Sequence, residues 1–198
     1  MSENIFLSKS YVPQKLKEKL LNQKAVTLWM TGLSGSGKST LAFALEQKLF
    51  EMNYLSIVLD GDNLRHGLCS DLGFSESDRM ENIRRVAQTA KLFNQNGVIV
   101  IVSLISPLTI GRENARNIIG DNFYEIYVNA DLEVCISRDT KGLYRKAING
   151  EIDSFTGVSA PYEEPKNPDL VLNTNNTSLK ENLDILLDFF LTIENKLG

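Results

Sequence analysis

The chain has 198 residues, 42% of them hydrophobic and 23% charged, with a formal net charge of −4. Those values suit one globular domain with a substantial core and argue against a general nucleic-acid binder, so any anion binding has to be local. Two cysteines, Cys69 and Cys135, and a single histidine exclude a disulfide framework and a four-ligand zinc site, and they fit a reducing cytoplasm.

Met1 to Ser10 holds no basic segment followed by a long apolar one, and no run approaches the length that crosses a bilayer, so neither export nor a membrane partner is expected. Pro13 to Leu21 reads as a short amphipathic helix whose Lys15, Lys17 and Lys19 form a solvated face. Residues 1–23 are therefore an extension and 24–198 the domain proper. Ala25 to Thr31 is apolar and β-prone, as a buried strand is, while Leu41, Ala42, Leu45 and Leu49 recur at helical spacing. Between them Gly32-Leu33-Ser34-Gly35-Ser36-Gly37-Lys38-Ser39 matches the phosphate-binding pattern G-x-x-x-x-G-K-[ST] at every fixed position. Glycines let successive N–H groups turn inward at a helix N-terminus, so the run from Gly32 to Thr40 is predicted to cradle the phosphates of a nucleotide triphosphate. Lys38 reaches the β and γ phosphates and Ser39 ligates Mg²⁺ in this reading. A plain Gly/Ser turn with a surface lysine is the bland alternative, and the strand before and helix after weigh against it.

Strand and helix signals then alternate: Tyr54 to Leu59 (strand), Ser75 to Gln95 (helix), Val98 to Ile105, Phe123 to Asn129 and Asp169 to Leu172 (strands). Ser75 with Asp78 marks the start of the long helix, and Ile83, Val86, Ala87, Ala90 and Phe93 make its apolar face. A last helix is capped by Ser178 and Glu181 and buries Leu179, Leu183, Leu186, Leu187 and Phe190. The alternation predicts an α/β phosphate-loop NTPase fold of three layers, a mainly parallel sheet of about five strands with helices on both faces. Residues 149–168 hold two glycines, three prolines and two aromatics without a sustained period. They form a lid-like loop, part of a segment from about 139 to 168.

Beyond the second strand the chain reads Leu59-Asp60-Gly61-Asp62-Asn63-Leu64-Arg65. Groups just past the carboxyl ends of parallel strands face the ligand crevice, so Asp60 and Asp62 both approach the γ-phosphate. One would orient or deprotonate an attacking hydroxyl and the other would hold Mg²⁺ or its waters. Alternatively Asp62 caps a short helix beginning at Asn63. A guanine-reading Asn-Lys-x-Asp stretch is absent from Asn173-Thr174-Asn175-Asn176.

The run Leu59 to Leu68, with Leu72-Gly73-Phe74-Ser75, Asp78-Arg79 and Glu81 to Val86, resembles the adenylylsulfate kinase family. Ile105-Ser106-Pro107, Asp139 to Tyr144, Phe155-Thr156-Gly157 and Pro161-Tyr162-Glu163 extend the likeness over about residues 24 to 190. The resemblance implies transfer of the ATP γ-phosphoryl group to the ribose 3′-hydroxyl of adenosine 5′-phosphosulfate, in a cytoplasmic homodimer of sulfate assimilation. It implies Lys38, Asp60, Asp62 and Ser106 as catalytic-site residues, with Ser39 and Asp60 at the magnesium. Arg65, Arg79 and Asn82 would hold the acceptor's phosphosulfate and ribose, Phe74 and Phe155 its adenine, and Ile105, Ser106 and Lys141 further parts of it; Arg138 would lie on the adenine of ATP. Core burial is the ordinary fate of Phe74 and Phe155, and only the resemblance promotes them. Ser106 has no evident base beside it, which favours direct in-line transfer over a phosphoserine. After Pro107 the family's aromatic-and-arginine pattern gives way to Leu108-Thr109-Ile110-Gly111-Arg112, so Arg112 serves either an anion or a salt bridge. Another small-molecule kinase with a phosphate loop, and an ATP-binding regulatory module without transfer activity, are the rival readings.

Overall fold

Five short apolar runs pair into one parallel sheet in the computed structural model, which describes residues 6, 8–139 and 141–196. The strands are β1 (Thr27–Thr31), β2 (Ser56–Asp60), β3 (Ile99–Ser103), β4 (Phe123–Asn129) and β5 (Leu170–Asn173), in spatial order β2-β3-β1-β4-β5. Every residue of β1 and β3 is buried, as a central strand covered on both faces requires. Alternate side chains of β1 go to opposite layers. Leu28 and Met30 pack with Leu41, Leu45 and Leu49 of α2 (Lys38–Glu51) and with Leu186 and Phe190 of the terminal helix 179–196. Trp29 packs instead with Val86, Ala87 and Ala90 of the helix 76–94 and with Ala115 and Ile119 of the helix 109–119.

Numbered in chain order, the helices are α1 (Gln14–Leu21), α2, α3 (Gly61–Arg65), α4 (Glu76–Asn94), α5 (Thr109–Ile119), α6 (Leu132–Arg138), α7 (Leu143–Ile148) and α8 (Leu179–Lys196). The two anticipated caps form. Ser75 Oγ accepts from the Asp78 N–H at 3.2 Å and donates to the Asp78 carboxylate at 2.7 Å. At α8 the box is reciprocal: Ser178 N–H donates to Glu181 Oε2 at 2.8 Å and Glu181 N–H to Ser178 Oγ at 3.3 Å.

Two expectations need correction. Leu179 is 47% exposed, because the first turn of α8 overhangs the sheet's carboxyl edge, where it lines a cavity rather than the core. Lys17 is not free in solvent: its Nζ donates to Asn96 Oδ1 at 2.7 Å and Gln95 O at 3.4 Å, tying α1 to the C-terminal end of α4, where carbonyls attract a cation. Between α7 and β5 the chain runs without helix or strand apart from one bridge, Thr156 to Ala160.

Candidate active site

All five strands end at the same edge of the sheet, beside a cavity of about 520 Å³ where the chemistry-bearing residues converge. The loop joining β1 to α2 begins with Gly32, whose φ of 152° and proximity to β4 admit no side chain: a Cβ there would lie 2.4 Å from Val128 O. Neighbouring elements grip the loop's carbonyls. Tyr144 Oη of α7 donates to Ser34 O at 2.9 Å, Thr174 Oγ1 just past β5 donates to Ser36 O at 2.9 Å, and the Arg138 guanidinium donates to Gly35 O at 3.3 Å and to Thr174 O.

Lys38 is buried at the base of α2, its Nζ donating to Gly32 O at 2.9 Å and Leu33 O at 2.7 Å. Burial lowers its pKa to about 8, against the opposing attraction of Asp60 and Asp62. An ammonium with neutral carbonyls as its hydrogen-bond partners is poised for an anion, since a phosphate would restore the solvation that burial removed.

Ser39 Oγ donates to Asp60 Oδ2 at 2.7 Å and lies 3.2 Å from Ser103 Oγ at the end of β3. The other Asp60 oxygen accepts from the backbone N–H of Asp62 at 3.1 Å and of Asn63 at 3.4 Å, so Asp60, not Asp62, caps the short helix. That helix begins at Gly61, two residues earlier than the capping alternative supposed. Asp62 is thereby left free to face the cavity, 66% exposed and ion-paired to Lys141 Nζ.

Beyond Asp62 the cavity turns cationic. Arg65 lies 4.3 Å from the Phe74 ring centroid and donates to Leu72 O and Gly73 O at 3.0 and 2.8 Å. Arg79 sits 5.8 Å from the same ring, donating to Phe74 O at 2.9 Å, Thr156 Oγ1 at 3.1 Å and Ser154 O at 2.7 Å; burial and then the charge of Arg65 depress its pKa. Asn82 is buried and its Oδ1 finds no donor among the described residues, the signature of a group completed by a ligand or water. Ile105 and Ser106 form the facing wall. Ser106 has φ 38°, rare outside glycine, and its Oγ accepts from Trp29 Nε1 at 3.1 Å. The hydroxyl's neighbour is thus a donor and cannot deprotonate it.

Of the residues singled out from the sequence, the cavity lining gathers Ser34 through Thr40, Asp60, Asp62, Arg65, Phe74, Arg79, Asn82, Ile105, Ser106, Arg138 and Lys141. Gly32 and Leu33, at the start of the loop, are not part of that lining, and Phe155 is not brought to the cavity. It is 9% exposed and packs edge-on against Tyr144, with centroids 5.0 Å apart. Its burial follows from its segment folding onto α7, which leaves Phe74 as the exposed ring of the two. Sequence reasoning passed over Ser103, Tyr144, Thr174 and Asn182, all of which line the cavity. Ser103 and Thr174 stand at or just past strand ends, a position that was available as a signal.

A phosphate loop, a carboxylate beside it and a cationic pocket beyond, set on this five-stranded parallel sheet, define a kinase of the phosphate-loop class. A family model described as adenylylsulphate kinase matches residues 24–173. The chain is 50% identical over 188 residues to the adenylyl-sulfate kinase of Clostridium acetobutylicum, covering 95% of this chain and 94% of that one. It is 56% identical over 174 residues to that of Prochlorococcus marinus, covering 87% of each. Among solved structures it resembles the Mycobacterium tuberculosis APS kinase in complex with AMPPNP and APS, with a TM-score of 0.81 and 48% identity over 84% of this chain and 98% of the other. The chain belongs to the adenylylsulfate kinase family.

Proposed function

We infer that this chain transfers the γ-phosphoryl group of ATP to the ribose 3′-hydroxyl of adenosine 5′-phosphosulfate, releasing ADP and 3′-phosphoadenosine 5′-phosphosulfate. One observation carries the reading: a single cavity joins the phosphate loop to Arg65, Arg79 and Phe74, with the Asp62 carboxylate between. An adenine nucleotide bearing a sulfated phosphate suits that far end, where guanidinium forks meet a tetrahedral anion and an aromatic face meets a base.

In the proposed mechanism the loop amides and Lys38 hold the β and γ phosphates, and Arg138 covers the adenine of ATP. Arg65, Arg79 and Asn82 hold the acceptor with its 3′-hydroxyl toward Asp62. Asp62 accepts the hydroxyl proton while the ribose oxygen bonds to the γ-phosphorus and the bond to the ADP oxygen breaks. Lys141 leaves its ion pair with Asp62 for the acceptor's charge. Ser39 Oγ and Asp60 offer hard oxygen donors beside the phosphate loop, a pairing that suits Mg²⁺, which would neutralise phosphate charge when bound. Phe155 reaches the acceptor's adenine in this proposal only if the 149–168 segment shifts toward Phe74 on binding. Among the described residues the hydrogen-bond partner of Ser106 Oγ is the Trp29 N–H, a donor and not a base, which supports direct transfer.

We also place the enzyme in the cytoplasm as a homodimer, for which light scattering is the test. Among the described residues, no helix is long and apolar enough to cross a membrane. An acceptor panel tests the activity: phosphorylation should require the sulfated nucleotide, and equal rates with AMP or adenosine would favour a kinase of another acceptor.

A further inference from the structure

Arg112 of α5 has a task that neither the phosphate loop nor the acceptor cations explain. Arg112 is 3% exposed on α5, yet its guanidinium serves three separate segments. Nη1 donates to Ser106 O at 2.8 Å, Nη2 donates to Glu163 O at 2.8 Å, and Nε pairs with Glu125 of β4 at 2.7 Å. Two further bonds fasten the same seam: Glu163 N–H donates to Pro107 O at 2.8 Å, and Thr109 N–H donates to Glu163 Oε2 at 2.8 Å. The wall that carries Ile105 and Ser106 is thus stitched to the 149–168 loop by these two bonds together with one buried arginine.

We propose that Arg112 is a positioning residue for the acceptor, holding Ser106 in its left-handed conformation and fixing the end of the loop to the acceptor wall. A non-glycine residue at φ 38° stays there only when its surroundings over-determine it. Here Arg112 and Thr31 Oγ1 draw the carbonyl of Ser106 from one side, while Trp29 Nε1 holds its hydroxyl from the other. Lysine cannot replace this arrangement, since one ammonium on a flexible stem does not span the two carbonyls and the carboxylate as a planar fork does. The consequence is a connection to Trp29, the chain's single tryptophan and fully buried. Its indole N–H bonds to Ser106, so its emission reports where the acceptor wall stands.

The inference rests on the acceptor pocket of the proposed function, and turnover of the wild-type protein tests that reading separately. Arg112→Lys should raise the acceptor KM about tenfold, as loss of one charge-assisted hydrogen bond does, and keep the ATP KM within about twofold. It should also change Trp29 emission with no ligand present. Glu125→Gln serves as the structural control: it removes the carboxylate but leaves Arg112 on both carbonyls, so it should lower the melting temperature while leaving acceptor KM and emission unchanged. Equal losses for ATP and acceptor in Arg112→Lys, or an acceptor KM raised as much by Glu125→Gln, would reduce Arg112 to a fold-stabilising role and overturn the proposal. Should Arg112→Lys fail to fold, the wild-type titration decides. Adenosine 5′-phosphosulfate added with a non-hydrolysable ATP analogue should shift Trp29 emission, and an unmoved emission in protein that turns the acceptor over would refute it. No turnover at all would overturn both readings.

Discussion

Raising the pH through 8 should weaken ATP binding by neutralising Lys38. Its amine is buried, with loop carbonyls at 2.7 and 2.9 Å as its hydrogen-bond partners, and loss of water lowers its pKa from 10.5 to about 8 in the free protein. Triphosphate binds the charged form preferentially and returns the proton affinity that burial took away. The free protein is then about nine-tenths charged at pH 7 and about one-tenth at pH 9, so the ATP dissociation constant should rise about tenfold, or about 1.4 kcal/mol, over that interval. Binding at pH 9 should take up about 0.9 proton per site, measurable by titration calorimetry in two buffers of different ionisation enthalpy. The sign for stability is opposite. The unfolded chain keeps its lysine proton up to pH 10.5, so between about 8 and 10.5 the empty fold gains stability as pH rises. A dissociation constant flat from pH 7 to 9, with no proton uptake, would refute the assignment of Lys38 as the buried phosphate-binding cation.

Asp62→Asn should lower kcat by about a hundredfold or more while ATP affinity holds, and the melting temperature should barely move, because the exposed pair with Lys141 contributes at most about 1 kcal/mol. Unaltered kcat in a steady-state assay would remove its catalytic role. Arg79→Ala should weaken the acceptor about tenfold or more with ATP affinity within about twofold, since it removes a charged donor and unfastens Ser154 and Thr156; equal losses by calorimetry would contradict the placement. Gly32→Ala should abolish ATP binding and lower stability by about 1–3 kcal/mol, because its Cβ would meet Val128 O at 2.4 Å; a wild-type thermal melt would show the loop is looser than described.

The sheet and its long helices were legible because each carries its period and its cap. The strands lie within two residues of their expected spans, and α4 and α8 start at the serines that mark them. Short helices escaped. α6 and α7 have seven and six residues, too few turns for periodicity to register, whereas the 11 residues of α5 are clearly amphipathic and were passed over. Gly111 sits close against α4: a Cβ there would meet Ile83 Cδ1 at 2.9 Å, the tip of a side chain that can give way. In the site, the linear motifs named the loop, Asp60, Asp62 and the arginines, and the structure brings these into one cavity. Side-chain roles set by tertiary partners were not readable. Phe155 depends on where Tyr144 lies, and Arg112 acquires its task from Glu163, fifty-one residues away.

Phosphorus NMR of the product formed by the purified protein from Mg-ATP and adenosine 5′-phosphosulfate tests the central claim most directly. The account predicts one new phosphate ester, coupled to the ribose 3′ position, appearing in step with ADP. ATP bound without transfer, or phosphate delivered to another position or to water, would contradict it.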